Sequence, residues 1–281
     1  MANGRLFVCP TPIGNLEDIT LRVLRVLKEV DCIAAEDTRH TLKLLNHFEI
    51  QQTLVSYHEH NKEKRGRELL DKLQEGCAIA LVSDAGMPGI SDPGQELIQG
   101  CIQLGIPVEV LPGATAGILA LVASGLDNSR FSFEGFLHRD KKKRRERLEQ
   151  IAREDRTLVF YEAPHRITDT LEDCIKILGN RRGVLCRELT KRYEEFIRGS
   201  LEEILNHFLG QQPKGEMVLL VAGMSTEDRD ALIQAEIEAV PVRAHLIRLI
   251  EEGMDKKEAV KMVAKERRMS KREVYQESID L

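Results

Sequence analysis

The sequence predicts an α/β protein with a mostly parallel sheet, then a mixed sheet, and finally a small helical tail. Short apolar runs alternate with helical patterns from residue 5 to about 125, as in parallel sheets with helices on both faces. In the next hundred residues apolar runs are relatively more frequent, which favours a mixed sheet. The last part of the chain is polar and helical in pattern. A chain of 281 residues is long for a single core, so we expect more than one domain.

The first predicted domain, residues 1–125, consists of five strand–helix pairs. Its strands are expected where short apolar runs end at glycine, proline or charged residues. Its helices are expected where apolar residues recur every three or four positions. The predicted strands are 5–9, 31–35, 53–56, 77–82 and 107–111, and the predicted helices are 19–30, 38–48, 60–75, 94–104 and 115–124.

The second predicted domain, residues 126–225, begins where the alternation stops. Polar turn residues from Asn128 to Phe133 indicate a break, and a new segment starts at Glu134. A crevice between the two domains is the expected ligand site. The predicted strands are 157–161, 183–187, 193–199 and 215–222, and the predicted helices are 140–153, 167–178 and 201–208.

The third predicted domain, residues 226–281, is a helical tail with candidate helices at 241–252, 255–268 and 270–278. Asp255 with Glu258, and Ser270 with Glu273, have the spacing of capping boxes, and Gly253 fits a helix end. Short helices with tight joints resemble a helix-turn-helix. A small docking bundle is equally compatible. From Arg243 onward the chain has ten basic and eight acidic residues, and this balance gives no clear nucleic-acid-binding face.

Composition limits the possible partners. The chain has four Tyr, eight Phe and no Trp, which is poor for a single-strand binder that stacks bases on aromatic platforms. A net charge of −5 also argues against nucleic acid, but the run 139–147 holds seven bases against two acids. Since a local patch decides whether phosphates are attracted, this run is either a solvated helix face or an RNA contact.

Cysteine spacing and hydropathy predict a reduced cytoplasmic protein. None of the six cysteines forms a CxxC pair, and each lies in an apolar context, which is typical of buried thiols. We expect no signal peptide, and no apolar run approaches the ~20 residues of a membrane span. His58 and His60 have the spacing of two metal ligands, but no third ligand follows at a typical distance. We therefore expect a surface loop there and no metal.

Three stretches that join a predicted strand to a helix are rich in glycine, proline and small residues. Such loops let a ligand approach the backbone closely, and in open α/β sheets they lie where ligands bind. A loop of this kind without a ligand is also common. Three of them in one domain favour a single binding crevice, in which Thr115 is expected to cap the last helix. The stretches are Pro10–Asn15, Leu81–Gly94 and Val108–Gly117.

Three clusters of ionisable residues follow strands of the two domains. They begin at Glu36, Tyr161 and Arg187, and each combines acidic with basic side chains. Helix N-termini favour acidic residues, a proline at a helix start explains part of the second cluster, and the third fits a surface ion-pair network. The alternative is a site for catalysis or phosphate binding.

Six motifs together resemble a known family. In chain order they are PTPIGN, AEDTRHT, LVSDAGMPGISDPG, PGATAGI, FYEAPHR and GEMVLLVAG. Over roughly residues 5–225 they are similar to the tetrapyrrole-methylase superfamily, and more narrowly to the ribosomal RNA small-subunit methyltransferase I family. Tetrapyrrole enzymes carry a glycine-rich loop where this chain has Pro10–Pro12, and Gly-Asp-Pro where it has Ser83–Ala85. These departures favour the RNA-modifying branch.

The resemblance implies a two-domain class III methyltransferase fold, a homodimer, and methylation of a cytidine 2′-hydroxyl in the decoding region of 16S rRNA, with S-adenosylmethionine as donor. A ribose hydroxyl is barely ionised at neutral pH, so a general base or cations near the oxygen would help. The alternative substrate is a tetrapyrrole or another small molecule. The implied cofactor contacts are Ile13, Val82, Ser83, Asp84, Met87, Thr115, Ala116, Glu162 and Leu189, and the implied acceptor-side residues are Asp37, Arg39, His165, Arg187 and Lys191.

Overall fold

The computed structural model describes residues 4–279, apart from the side chain of Glu236. The chain forms two compact units. One comprises the residues up to Ala152 together with Arg156–Ala222, and it contains both sheets. The other comprises Arg153–Asp155 and the residues from Gly223 onward. The division into domains at 125 and 225 stays a prediction.

The first sheet has five parallel strands in the order β3-β2-β4-β1-β5. This confirms the predicted parallel sheet, and its loops at the carboxyl ends of β1, β4 and β5 carry the glycine-rich motifs. A single 3₁₀ turn, Leu16–Asp18, precedes the first helix. The strands are β1 Arg5–Val8, β2 Cys32–Ala35, β3 Leu54–Ser56, β4 Ala78–Val82 and β5 Val108–Val110, and the helices are α1 Leu21–Glu29, α2 Thr38–His47, α3 Lys62–Gln74, α4 Gln95–Gln103 and α5 Ala116–Ser124.

Both faces of the first sheet are buried, as the continuous apolar strands require. Successive strand residues point to opposite faces, so Ile33 packs with Val23 and Leu27 of α1, whereas Ala34 packs with Leu69 of α3. The strand ends are thereby held between two helical layers.

The second sheet is mixed, in the order β6-β7-β10-β8-β9, with β6–β7 parallel and the other pairs antiparallel. This confirms the expected mixed sheet. Helices α6–α8 cover one face, and α5 packs on the other through Ala120 and Leu121. The elements are β6 Phe131–Phe136, α6 Lys141–Gln150, β7 Thr157–Glu162, α7 Ile167–Leu178, β8 Arg182–Arg187, β9 Glu195–Ser200, α8 Leu201–His207 and β10 Met217–Val221.

Strand β6 corrects the turn predicted for residues 128–133. It is an edge strand in which the exposed Phe131 and Phe133 flank the half-buried Ser132. Its pairing with β7 shifts register between Phe133 and Gly135, and Gly135 has φ +61°. The sequence signal was weak because the apolar alternation covers only three residues before this bulge interrupts it.

The C-terminal unit contains four helices, α9 Thr226–Ala239, α10 Val242–Glu251, α11 Lys256–Glu266 and α12 Lys271–Gln276. Helices α10–α12 share a small apolar core, and the predicted tail is confirmed as helical. The capping box of α12 forms, but at α11 the Asp255 side chain accepts only from Lys257 N–H. Helix α9 was not predicted, because its polar pattern has no clear apolar face. Within residues 4–279 we find no helix with the length and apolarity that crossing a bilayer requires.

Candidate active site

A cavity of about 430 Å³ lies where strand-end loops of the two sheets converge. Seven of the nine residues expected to bind a cofactor line it, together with others that were not among the expected cofactor contacts, including Glu36, Asp92, Phe136 and Tyr161. All but Phe136 fall inside motifs quoted from the sequence, so the motif pattern was the available signal. The seven are Ile13, Asp84, Met87, Thr115, Ala116, Glu162 and Leu189.

The loop that follows β1 and the loop that follows β4 are hydrogen-bonded to each other, and both contribute residues to the cavity lining. Thr11 and Gly86 exchange both backbone hydrogen bonds, at 2.9 and 3.0 Å, and Gly86 has φ +80°. A side chain at Gly86 would meet the Ile13 Cγ2 atom at 3.2 Å. Glycine is therefore required there by both backbone conformation and space.

Val82 and Ser83 are both about 2% exposed and are not among the cavity-lining residues. The Thr11 hydroxyl donates to the Ser83 carbonyl at 3.1 Å, and the Ser83 hydroxyl donates to the Gly86 carbonyl at 3.3 Å. The two residues thus hold the loop in shape from beneath. Thr115 lies at the N-cap position of α5, but its side chain makes no capping hydrogen bond, contrary to expectation.

Three carboxylates, Glu36, Asp84 and Asp92, line one side of the cavity. Burial, with the charges of Glu36 and Asp84, raises the pKa of Asp92 to about 7, although the nearby Ser83 side chain opposes the shift. Burial and Asp84 also raise the pKa of Glu36. A cavity wall of this composition favours a cationic ligand.

Another part of the cavity lining is aromatic and apolar. The Tyr161 hydroxyl accepts a hydrogen bond from Gly117 N–H at 3.1 Å, and its ring contacts Phe133 and Phe136 edge-on at 5.0 and 5.6 Å. Burial raises the pKa of Tyr161, so the phenol stays neutral. With Ile13 and other apolar side chains nearby, this wall suits a flat ring.

Glu162 lines the cavity, but its carboxylate is satisfied by neighbouring protein groups. It accepts hydrogen bonds from the Thr170 hydroxyl at 2.6 Å and Ala163 N–H at 2.9 Å, and Arg166 Nε lies 3.4 Å away. The side chain is about 2% exposed. Its contacts fix the turn between β7 and α7 that borders the cavity.

The loop after β8 brings Lys191 close to the cavity. Glu188 and Thr190 have positive φ angles of 52° and 65°, which non-glycine residues rarely adopt. Lys191 Nζ lies 3.1 Å from carboxylate oxygens of both Glu188 and the cavity-lining Glu216. Burial disfavours its charge, but the two carboxylates raise the pKa of Lys191 on balance. Lys191 is therefore a cation and a poor general base.

None of the five predicted acceptor-side residues, Lys191 included, lines the cavity, although most are close to lining residues in sequence. Asp37 caps α2, pairs with Arg39 at 2.7 Å and donates its backbone N–H to Asp84 at 3.1 Å. Arg39 holds the pKa of Asp37 well below its usual range. His165 is exposed and follows the lining residue Pro164. Arg187 pairs with Glu195 at 2.7 Å.

The basic residues of α6 fall into a buried and an exposed group. Arg144 is 3% exposed and pairs with the buried Asp173 at 2.7 Å, and Arg145 contacts the other oxygen of the same carboxylate. Neither interpretation of the run, a solvated helix face or an RNA contact, holds for Arg144, because this residue is buried against a structural partner. Lys141, Lys142 and Lys143 are exposed.

Comparison with known proteins identifies the family. The family described as Tetrapyrrole (Corrin/Porphyrin) Methylases matches residues 5–205. A protein of Halalkalibacterium halodurans named Ribosomal RNA small subunit methyltransferase I is 53% identical over 272 residues, which is 97% of this chain and 93% of that protein. This chain belongs to the family of Tetrapyrrole (Corrin/Porphyrin) Methylases. A relative of the same name from Thermotoga maritima is 47% identical over 220 residues, 78% of this chain and 99% of its own length.

The fold of these methyltransferases is also found among solved structures. Uroporphyrin-III C-methyl transferase from Thermus thermophilus, solved as a complex with S-adenyl homocysteine, matches with a TM-score of 0.55 at 22% identity. The match covers 78% of this chain and 97% of that one. At this identity the likeness shows the shared fold.

Proposed function

We propose that this methyltransferase transfers a methyl group from S-adenosylmethionine to a cytidine ribose 2′-hydroxyl in the decoding region of 16S rRNA. The observation that carries the proposal is the 53% identity, over nearly the whole chain, to a protein named Ribosomal RNA small subunit methyltransferase I. The reaction type agrees with the family, and the nucleotide and its 2′-oxygen come from the resemblance of the motifs.

The cavity fits the proposed donor. Its volume of about 430 Å³ falls in the roughly 300–1,000 Å³ range typical of sites for ligands of this size. Glu36, Asp84 and Asp92 provide negative charge for a sulfonium cation, and the Tyr161 wall provides a surface for an adenine ring. When bound, the donor supplies an electrophilic methyl carbon on sulfur. The Thermus thermophilus protein, which shares the fold, was solved as a complex with S-adenyl homocysteine, and this supports a donor of that class.

The residues proposed for the acceptor side have separable roles. Lys191 is a fixed cation that would stabilise negative charge developing on the ribose oxygen. Arg187 and Arg39 would bind phosphates, and the exposed His165 would contact the nucleotide. Asp92, with a pKa near 7, is the cavity carboxyl best matched to accept a proton at neutral pH. Asp37 positions Arg39 and, through its backbone N–H, Asp84.

The partners proposed beyond the donor are the small ribosomal subunit and a second copy of this chain, in the cytoplasm. The exposed lysines at the start of α6 support an RNA contact, because phosphates attract such patches. An apolar surface on α5, with the edge strands β5 and β6, supports a homodimer. Its exposed members are Val110, Ile118, Leu119, Val122, Phe131, Phe133 and Phe136.

The proposed reaction is tested with labelled S-adenosylmethionine and small ribosomal subunits that lack the modification. We expect label in 16S rRNA at one cytidine, and mass spectrometry of nuclease fragments should place it on the ribose. Transfer to a porphyrinogen but not to the subunits would contradict the proposal in favour of a small-molecule substrate.

The cofactor pocket is tested by Met87→Asp and Asp84→Ala. A carboxylate in place of Met87 removes apolar contact, and the loss of Asp84 removes charge beside the sulfonium. We expect each variant to bind S-adenosylmethionine at least about tenfold more weakly by calorimetry, since ~1.4 kcal/mol corresponds to a factor of ten. Met262→Asp, the same change on an exposed face of α11, is the control. Wild-type affinity in both pocket variants would place the donor elsewhere.

A further inference from the structure

Charge is segregated within the C-terminal unit. Residues 226–252 contain seven acidic and three basic residues, whereas residues 256–272 contain eight basic and two acidic ones. The near balance of the whole tail hides this division. Helices α9 and α10 are therefore acidic, and the segment from α11 into α12 is strongly basic.

Three of these basic residues form a stripe along α11, which we call the lysine stripe: Lys257, Lys261 and Lys265. They recur every four residues, so they lie on one face of the helix. All three are exposed, while Val260 and Val263 of the same helix are buried in the core of the unit. The core thus fixes which way the stripe faces.

Three of the carboxylates near the stripe have partners within the unit, whereas the exposed Glu258 of α11 forms no ion pair among the described residues. Asp255 caps α11, Glu273 forms the capping box of α12, and Glu266 lies 3.5 Å from His245. In the part of the chain that the structure describes, no ion pair is formed by the side chains of the lysine stripe. Their positive charge remains available to a partner.

The basic sequence continues beyond the stripe into α12. Arg268 in the connecting turn and Lys271 and Arg272 at the start of α12 are exposed, and Tyr275 is 57% exposed one turn further on. Cations beside an exposed aromatic ring are the combination that binds phosphates and stacks on bases.

The scaffold beneath this surface is firmly held. Arg267 is buried, donates to the Val240 carbonyl, and directs its Nε toward His245 Nδ1 at 3.4 Å. This links the turn between α11 and α12 to the start of α10. The basic surface is therefore presented on a fixed arrangement of short helices.

We propose that the lysine stripe, with Arg268, Lys271 and Arg272, is a second RNA-binding surface, which contacts rRNA in addition to the site of methyl transfer. The inference rests on the proposed rRNA substrate. The exposed lysines, which form no ion pair within residues 4–279, supply the positive charge that rRNA phosphates attract. The stripe accordingly contributes affinity for RNA, and methyl transfer belongs to the first unit.

The test compares two full-length variants. In the stripe variant Lys257, Lys261 and Lys265 are changed to Gln, and in the control variant Arg229, Arg243 and Arg248, exposed on the acidic half of the same unit, are changed to Gln. Both lose three positive charges. Affinity for undermodified small subunits is measured from low to moderate salt, together with kcat, the RNA KM and binding of S-adenosylmethionine.

We expect the stripe variant to bind the subunits at least about tenfold more weakly at low salt, and its log–log salt dependence to be less steep by about 2–3. Its KM for RNA should rise while kcat and donor binding stay at wild-type values. The control variant should change by less than about twofold. Equal affinities and equal salt dependence in the two variants would overturn the inference.

A photo-crosslinking amino acid at Met262, an exposed position beside the stripe, identifies what is bound. Crosslinks to 16S rRNA support the proposal, and crosslinks only to ribosomal proteins overturn it. If the wild-type protein binds subunits but transfers no methyl group, the proposed reaction fails, and the comparison of the two variants still decides the role of the stripe.

Discussion

Asp92 shares its cavity with Glu36 and Asp84, and its pKa is raised to about 7. A raised carboxyl pKa means that the folded protein holds a proton which the unfolded chain, with a pKa near 4, has released. The contribution of this proton to the free energy of unfolding is therefore complete below about pH 4, where both states are protonated. It declines between pH 4 and the folded pKa of about 7. As the pH rises through 7, that contribution is lost.

Asp92→Asn should therefore stabilise the protein at alkaline pH. An amide never acquires the unfavourable charge, so the melting temperature of the variant should fall less than that of the wild type between pH 5.5 and 8.5. Differential scanning fluorimetry measures this directly. Asp71→Asn, on the exposed side of α3, serves as the control and should follow the wild type. Parallel curves for Asp92→Asn and wild type would show that Asp92 is ionised throughout.

Ionisation of Asp92 should also affect discrimination between donor and product. S-adenosylmethionine carries a sulfonium charge that S-adenosylhomocysteine lacks, so a negative Asp92 favours the donor. We expect the ratio of their affinities to rise from pH 6 to pH 8 in the wild type and to stay nearly constant in Asp92→Asn. Calorimetry at several pH values gives both constants. An equal rise in the variant would assign the effect to other carboxylates.

For individual residues, the sequence indicated which loops line the cavity but not the environment of each side chain. Asp84 and Asp92 stood out in a glycine-rich motif, yet the pKa of Asp92 depends on Glu36, which lies in a different loop. Val82 and Ser83 were expected to touch the donor because they adjoin the same motif, and the structure buries them beneath the loop. Their role in binding stays a prediction.

Helix α6 shows why a run of charges does not reveal its own partners. Arg144 and Leu148 are four residues apart and share the inward face, so the apolar Leu148 was a signal that Arg144 points inward too. Its partner, Asp173, lies on α7, and only the packing of the two helices brings them together. Strand β6 and helix α9 were missed because neither has an extended apolar pattern, whereas the strands of the first sheet do.

Arg144→Ala should destabilise the first unit strongly, because it leaves the buried Asp173 with a single partner. Arg145 still pairs with Asp173, so we expect a loss of about 1.5–3 kcal/mol, as for a hydrogen bond to a charged group, and not the larger loss that follows when a buried charge is left unpaired. Denaturant unfolding measures the change, and the exposed Lys143→Ala should stay within about 0.5 kcal/mol of wild type. RNA-binding tests on α6 should therefore change Lys141, Lys142 and Lys143 only. Similar unfolding curves for Arg144→Ala and Lys143→Ala would contradict a structural role for Arg144.

For the chain as a whole, the exposed apolar surface on α5 and β6 is the feature that is least expected of a monomer. Helix α5 is apolar on all sides: Ala120 and Leu121 pack on the second sheet, while Val122 is 69% exposed. Beside it, the edge strand β6 exposes Phe131 and Phe133. Soluble monomers rarely expose contiguous apolar patches of this kind, and edge strands are usually covered.

We therefore expect light scattering at micromolar concentration to give twice the chain mass of 31.8 kDa. Val122→Glu places a charge in the apolar surface, and burying an unpaired carboxylate in an interface is strongly unfavourable. The variant should scatter as a monomer at concentrations where the wild type is a dimer. Leu209→Glu is the matched control, because Leu209 is 72% exposed and lies after α8, outside this surface. A monomeric wild type, or a dimer unaffected by Val122→Glu, would leave the apolar surface of α5 without a role in self-association.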